Sequence, residues 1–278
     1  MSISRIGVSL KEGCCIDGAE LAIQALEDNG IVFDFKLATK DDKTEFPNNL
    51  LHLNAIVDIV TKVKTEVKKA RDAGKFPLIF GGDHSLSIGS ISASSSADLA
   101  IIWVDAHGDS NTDQTTLTGR IHGMPLGVVS GFGARPLLEI VTPNFIKPSN
   151  IYLLATSDID SQELVNINTW GINLFTLEDI RAVGIDKVIS QVISMTKEQA
   201  VHFSFDLDSI HINKIKGVNT PASDGLNLKQ AEIIIEEVLS NCNVVSMDIV
   251  EFNPLNDDGN TIKFIQELNN IVEKYKGE

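Results

Sequence analysis

Leu99 to Asp109 reads LAIIWVDAHGD. The run from Leu99 to Trp103 is apolar throughout. Bounded by polar residues, such a run reads as a strand buried on both faces. It closes in Asp105, His107 and Asp109, ligand-type side chains spaced two residues apart. Side chains two apart on extended backbone point the same way. The three therefore converge if the chain stays extended past the strand end. One nitrogen and two hard oxygen donors on one short segment suit a divalent cation. A solvated strand end with a chance histidine is the alternative.

Outward from this stretch, short β-rich runs alternate with helical patterns. Arg5 to Leu10, Ile31 to Leu37 and Phe76 to Phe80 read as strands before it. Ile151 to Thr156, Ile172 to Phe175, Val201 to Phe205 and Val244 to Val250 read as strands after it. Helical periodicity predicts helices over Asp17–Asn29, Leu53–Ala73, a small-residue segment from Leu86, Met124–Ser130 and Pro136–Val141. It predicts more over Leu177–Ala182, Ile185–Thr196, Leu228–Asn241 and Thr261–Tyr275. Alternating strands and helices with continuously apolar strands predict an α/β fold, a parallel sheet covered by helices on both faces. The 278 residues contain no linker, repeat or low-complexity tract, so residues 1–278 are expected to form a single domain.

In parallel sheets ligands collect at the carboxyl ends of the strands. The candidate residues obey that rule. His84 follows FPLIF inside GGDHS, and Asp105, His107 and Asp109 follow LAIIWV. Asp206 and Asp208 follow VHFSF inside SFDLD, and Glu251 follows VVSMDIV inside EFNP. Two histidines and four aspartates do not suit a structural zinc site, which favours Cys and His and closes at four ligands. Oxygen-rich sets with some imidazole suit Mn²⁺, Mg²⁺ or Fe²⁺. Six ligands exceed what one ion needs when water or substrate must also bind. Two ions sharing carboxylates, about 3.5–4 Å apart, would activate a hydroxide between them. Each Asp taken singly also reads as a cap or turn residue. His122, in the Gly-flanked loop TGRIHGMP, reads either as a proton shuttle near neutrality or as a hydrogen-bonded loop histidine. His52 and His202 read as structural.

Composition removes several function classes. The formal net charge of −15 argues against nucleic-acid and anionic-membrane partners, which need a basic face. The N-terminal residues carry no signal-peptide apolar core, and no apolar run reaches membrane-spanning length. Three cysteines, Cys14, Cys15 and Cys242, form no CxxC pair and no disulfide framework. A cytoplasmic location is the expectation.

GGDHS (81–85), DAHGD (105–109), SFDLD (204–208) and EFNP (251–254) occur in this order over about 170 residues. Together they resemble the motifs of the ureohydrolases, the family of arginases and agmatinases. The resemblance implies a three-layer α/β/α domain with a mainly parallel central sheet, arginase-like, and two Mn²⁺ ions per subunit. It implies that His84, Asp105, Asp109 and Asp208 bind one or both ions, with His107 and Asp206 completing the set. A bridging hydroxide would attack the guanidinium carbon of the substrate, giving urea and an amine. Asp109 would donate the proton that the leaving amine needs, and His122 matches the family's shuttle. Glu251 matches the acid that holds the guanidinium, a task suited to bidentate hydrogen bonding. Many family members are homo-oligomers, trimers or hexamers.

The resemblance also addresses the substrate, a small guanidino compound. In arginases the loop after DAHxD holds an α-carboxylate. Asn111 stands at the matching Asn, Thr118 at a usual Ser, and Arg120 where Asn is common. TSDIDSQE (156–163) resembles the arginase RDVDPGE stretch and puts Asp160 on the residue that reads the α-amino group, with Glu163 beside it. Ser157 replaces the usual Arg. Agmatine has no α-carboxylate, so partial retention of these features favours L-arginine, hydrolysed to L-ornithine and urea. Agmatine or another guanidino acid is the alternative substrate, and a catalytically silent metal-binding member is a third reading. The clearest departure is SIHIN (209–213): the family continues xxDP after its DxD, whereas His211 replaces the Asp here and Ile212 the Pro.

Overall fold

The computed structural model describes residues 2–39, 50–96 and 98–277. Eight strands form one sheet: β1 (Ile3–Ser9), β2 (Phe35–Ala38), β3 (Phe76–Gly81), β4 (Ala100–Val104), β5 (Ile151–Thr156), β6 (Asn173–Thr176), β7 (Ala200–Asp206) and β8 (Asn243–Val250). The order across the sheet is β2-β1-β3-β8-β7-β4-β5-β6, and each neighbouring pair is parallel. The longer helices are α1 (Ala22–Asp28), α2 (Leu53–Asp72), α3 (Ser87–Ser94), α4 (Pro125–Val129), α5 (Arg135–Val141), α6 (Ser161–Trp170), α7 (Leu177–Val183), α8 (Ile185–Thr196), α9 (Leu228–Asn241) and α10 (Asn260–Lys276).

Continuously apolar strands have two faces to cover, and two separate cores cover them. On β4, Ala100, Ile102 and Val104 enter the core under α1, α7, α8, α9 and α10. Ile101 and Trp103 enter the opposite core, under α2, α3, α4 and α5. All five are 0% exposed. Complete burial stabilises the fold by about 1.5–3 kcal/mol for each large apolar side chain. The layering is therefore helix, sheet, helix, as the alternation of apolar runs implies. Among the described residues, no helix is long and apolar enough to cross a membrane.

Two elements differ from the sequence expectation. Of Ile31–Leu37, only the last part becomes strand. β2 lies at the sheet edge, pairs with β1 from Ile6↔Phe35 onward, and is mostly exposed. Phe33 instead leaves the ladder and packs edge-on against Phe80, with ring centroids 5.7 Å apart. The helix α6 has no counterpart in the periodicity reading. A capping box starts it: the Asp160 carboxylate accepts from the backbone N–H groups of Gln162 and Glu163, and Glu163 accepts from the N–H of Asp160.

The strand order decides where the site lies. β3, β8, β7 and β4 are consecutive in the sheet. They are the four strands whose ends carry His84, Glu251, the Asp206–Asp208 pair and the Asp105–Asp109 segment. The chain leaves β3 for β4 and later fills the gap between them with β7 and β8. The resulting crevice lies at the carboxyl ends of the strands, where such sheets bind ligands.

Candidate active site

The motifs share one local device. The Asp83 carboxylate accepts from the N–H of Ser85, that of Asp105 from His107, and that of Asp206 from Asp208. Each is an Asx turn, in which a carboxylate folds back on the backbone two residues on. The chain therefore bends just beyond β4 and β7 instead of staying extended. Asp105, His107 and Asp109 converge through this bend and through the left-handed backbone of Asp109 (φ 43°), not through strand periodicity. Gly82 is required for a close approach. A Cβ there would lie 1.7 Å from the carbonyl oxygen of Leu10.

The six candidate ligands come together. The Nδ1 of His84 lies 2.9 Å from Asp206 Oδ2, 3.1 Å from Asp105 Oδ2 and 3.2 Å from Asp109 Oδ2. The Nδ1 of His107 lies 3.1 Å from Asp208 Oδ2 and 3.5 Å from Asp105 Oδ1. His84, Asp105 and Asp109 form one group able to hold an ion; Asp105, His107 and Asp208 form another, and Asp105 belongs to both. His84 Nδ1 is buried and, despite its short distances to three carboxylates, makes no hydrogen bond of acceptable geometry. A buried ring nitrogen without a hydrogen-bond partner, facing three carboxylates, is what a divalent cation would satisfy, so the donor set fits a two-ion centre.

Electrostatics points the same way. Burial, and then repulsion by Asp105, pushes the Asp109 carboxyl up to about 7. Burial together with Asp208 and Asp105 pushes Asp206 well above the usual carboxylate range. For Asp105, burial acts upward, but bonds and charge from His107 and His84 outweigh it and hold that carboxyl below its ordinary value. Packed acids that repel one another are stabilised by a positive ion.

The supports of His84 come from a row of residues in register across the sheet: Asp248 on β8, Ser204 on β7 and Trp103 on β4. The His84 ring lies flat on Trp103, centroids 3.9 Å apart and planes within 8°. Its Nε2 is 2.8 Å from Ser204 Oγ. With Nδ1 given to a metal ion, Nε2 would carry the hydrogen and donate it to Ser204. Trp103 Nε1 donates to Asp105 Oδ2 at 2.9 Å. Ser87 and Ser90 of α3 donate to Asp248 and seat the helix that follows His84. His202 hydrogen-bonds Ser246 and Asp248 inside the sheet, in keeping with its structural reading.

A cavity of about 240 Å³ opens over the cluster. Its walls include His84, His107, Asp109, His122, Asp206, Asp208 and Glu251. Glu251 is 1% exposed and has left-handed backbone (φ 66°). That conformation turns its carboxylate back over the GGDHS loop, where Oε1 accepts from the N–H of His84 at 2.8 Å. His122 Nδ1 lies 3.2 Å from the same oxygen. Burial acts to raise the Glu251 carboxyl, but the His122 bond and charge, the Asn219 amide and His84 hold it below its ordinary value. His122 is raised: burial opposes its charge, and Glu251 overcomes that opposition.

The residues expected to read the substrate are spread unevenly. Thr118, Asp160 and Glu163 line the cavity, joined by Asp158, which the sequence reading quoted without a role. Burial, and then Asp109, pushes the Glu163 carboxyl up to about 8. Asn111 donates its side-chain amide to Asp160 Oδ2 at 2.8 Å. Arg120 is not part of the lining; its charge acts on the Cys15 thiol. His211 stands away from the cluster, where its Nδ1 accepts from the N–H of Asn213. It is a local hydrogen-bonding substitute rather than an extra ligand. Thr220 supports Asp208 by donating to Oδ2 at 3.1 Å. Sequence reading missed Trp103, Ser204 and Asn219 as supports of the site. For Trp103 and Ser204 the signal is a polar-capable side chain just before a strand-end motif; Asn219 lies in the loop between β7 and α9, away from any such motif.

The comparisons agree with this geometry. The model of the Arginase family matches residues 12–270. An arginase from Staphylococcus aureus (strain MRSA252) is 39% identical over 218 residues, 77% of this chain and 72% of that one. The structure of the arginase from Bacillus caldovelox superposes with a TM-score of 0.90 at 29% identity, covering 100% of this chain and 98% of that one. The arginase of Entamoeba histolytica, solved in complex with L-ornithine, gives a TM-score of 0.88 at 29% identity and 98% coverage of both chains. With these motifs on adjacent strand ends and a family match over nearly its whole length, the chain belongs to the arginase family and is a ureohydrolase.

Proposed function

We propose that this ureohydrolase is an arginase that uses two Mn²⁺ ions to hydrolyse L-arginine to L-ornithine and urea. The reading puts His84, Asp105 and Asp109 on one ion and Asp105, His107 and Asp208 on the other; Asp206, 2.9 Å from His84 Nδ1, completes the set beside His84, and Asp208 sides with His107. The observation that supports it most is the sharing of Asp105 by two ligand groups beneath a single acid-walled cavity. When bound, the ions supply Lewis acidity and lower the pKa of water toward neutrality. The chain's own groups do the rest. Glu251 accepts a guanidinium N–H and sets the carbon over the ligand cluster. Hydrolysis places a water oxygen on that carbon and breaks its bond to the alkyl nitrogen. The departing amine takes a proton, and Asp109 is the group assigned to give it. His122, with 16% of its side chain open to solvent, returns the proton from bulk water.

Arginine over agmatine is supported by the relatives named as arginases and by Thr118 on the cavity wall. Asp158, Asp160 and Glu163 suit an α-ammonium. One observation favours a guanidine without a carboxylate: Asn111 is turned to Asp160, and Arg120 is outside the lining. Urea release by the Mn²⁺-loaded protein from arginine, agmatine and guanidinobutyrate separates the readings. The expected result is a kcat/KM for arginine at least about tenfold above agmatine. That ratio is about 1.4 kcal/mol of transition-state discrimination. Agmatine turned over as efficiently as arginine overturns the proposal. We read the chain as one domain assembling into a cytoplasmic homo-oligomer, trimer or hexamer, which light scattering of the purified protein checks.

A further inference from the structure

We infer that Asn219 is a positioning residue for guanidinium binding, acting through Glu251. The inference rests on the reading of Glu251 as the guanidinium acceptor and changes how that acceptor works. A carboxylate offers about four lone-pair sites. On Glu251, Oε1 takes two donors, the N–H of His84 at 2.8 Å and His122 Nδ1 at 3.2 Å. Oε2 takes one, the side-chain amide of Asn219 at 2.7 Å. Oε1 is therefore filled, and one acceptor site remains, on Oε2. The bidentate grip expected for this acid is closed. The guanidinium meets a single oxygen whose direction is set by Asn219.

Asn219 has no freedom to flip. Its Oδ1 accepts from Asn253 Nδ2 at 2.8 Å. That same Nδ2 donates to the backbone oxygen of Asp17, and Asn253 Oδ1 accepts from the N–H of Leu255. A carbonyl oxygen can only accept and a backbone N–H can only donate. The two main-chain groups thus fix the polarity of both amides, and Asn219 is compelled to point a donor at Glu251. Asn253 is 1% exposed and Asn219 8%, so water does not compete for the relay. Gly18 leaves room for it: a Cβ there would lie 2.0 Å from Asn253 Oδ1. Asn219 itself is not part of the cavity lining, whereas Glu251 is. The amide therefore approaches from behind the carboxylate and leaves the open lone pair toward the cavity.

The test uses Mn²⁺-loaded protein and the variants Asn219→Ala and Asn219→Leu. The second keeps nearly the shape of the side chain, removes the donor and adds no charge beside Glu251. Calorimetric titration with guanidinium chloride and with L-arginine gives affinity, steady-state urea release gives KM and kcat, and metal analysis gives ion content. Losing a hydrogen bond to a charged group corresponds to roughly 10–100-fold. The expected result in both variants is that rise in KM and in both dissociation constants, with kcat within about threefold and ion content unchanged. Affinities and KM within twofold of the parent overturn the inference. So does a loss of bound manganese with KM unchanged, which would make Asn219 a support of the metal cluster. If the parent releases no urea from any guanidine, the proposed function fails, and the guanidinium titration still decides on Asn219. Should Asn219→Ala fail to fold, Asn219→Leu carries the same two outcomes.

Discussion

Trp103→Phe is the substitution whose effect the geometry defines best. The change keeps a flat aromatic ring under His84, which stacks at 3.9 Å, and deletes one hydrogen bond, Nε1 to Asp105 Oδ2 at 2.9 Å. Trp103 is 0% exposed, so no water replaces the lost donor. A hydrogen bond to a charged group contributes about 1.5–3 kcal/mol. At 1.4 kcal/mol per decade this is about 10–150-fold in the equilibrium it supports. Losses of this kind around metal ligands fall at about 10–100-fold in ion affinity. Asp105 belongs to both ligand groups, so both binding steps weaken, not one. The smaller ring also costs about 1–3 kcal/mol of packing. That part lowers the melting temperature of the metal-free protein by a few degrees. Calorimetric titration of metal-stripped protein with Mn²⁺, beside melts without metal, separates the two effects. A lowered melting temperature with manganese affinity within twofold of the parent would refute the reasoning, because Trp103 would then act through packing alone.

Three further outcomes follow from the same geometry. The raised carboxyls of Asp109 and Glu163, up to about 7 and about 8, with Asp206 and Asp208 also raised, bind more protons in the folded chain than in the unfolded one. Their stabilising contribution is complete below the unfolded carboxylate pKa near 4 and is lost as pH rises through the folded values. The raised His84, His107 and His122 act with the same sign. Metal-stripped protein should therefore melt higher at pH 5 than at pH 8, and saturating Mn²⁺ should reverse the order. A metal-free protein more stable at pH 8 sinks this account. His107→Ala should lose about one manganese per chain and at least about 100-fold in kcat/KM; metal analysis showing full occupancy with unchanged turnover removes His107 from the ligand set. His122→Ala should slow urea release by about 10²–10⁴-fold while metal content stays intact, and loss of metal would assign His122 a different role.

The fold was legible because a parallel sheet buried on both faces writes each central strand as an unbroken apolar run. FPLIF, LAIIWV and IYLLAT need no partner to be recognised. α6 was not legible in the same way. Its first turn is polar, its apolar face is short, and the signal that starts it is the Asp160–Glu163 capping box. Those two acids had been read for substrate recognition alone. The structure gives them helix capping as well and leaves both on the cavity wall. The two uses are compatible, because a box that fixes the helix end also fixes the carboxylates it spends. The edge strand β2 was over-read because Ile31 and Phe33 are apolar for packing rather than for pairing, and Val32 between them is exposed.

The candidate site was legible as a list of residues but not as an arrangement, and strand order is the reason. β3 and β4 are separated by β8 and β7, three inter-strand spacings or about 14 Å. Yet the ring of His84, just past β3, rests on Trp103 of β4. The segment after β3 must cross the ends of two strands that enter the chain more than a hundred residues later. Ser204 makes the crossing possible. It sits in register between Asp248 and Trp103, and as a small residue it leaves a trench in which the imidazole lies against the sheet, with Oγ taking its hydrogen. Asp248 holds α3 at the other end of the trench through Ser87 and Ser90. His84 thus reaches Asp105 and Asp206 only when β7 and β8 are docked between β3 and β4. Assembly of the ligand cluster and completion of the sheet are one event, so an ion bound there stabilises the whole sheet by mass action.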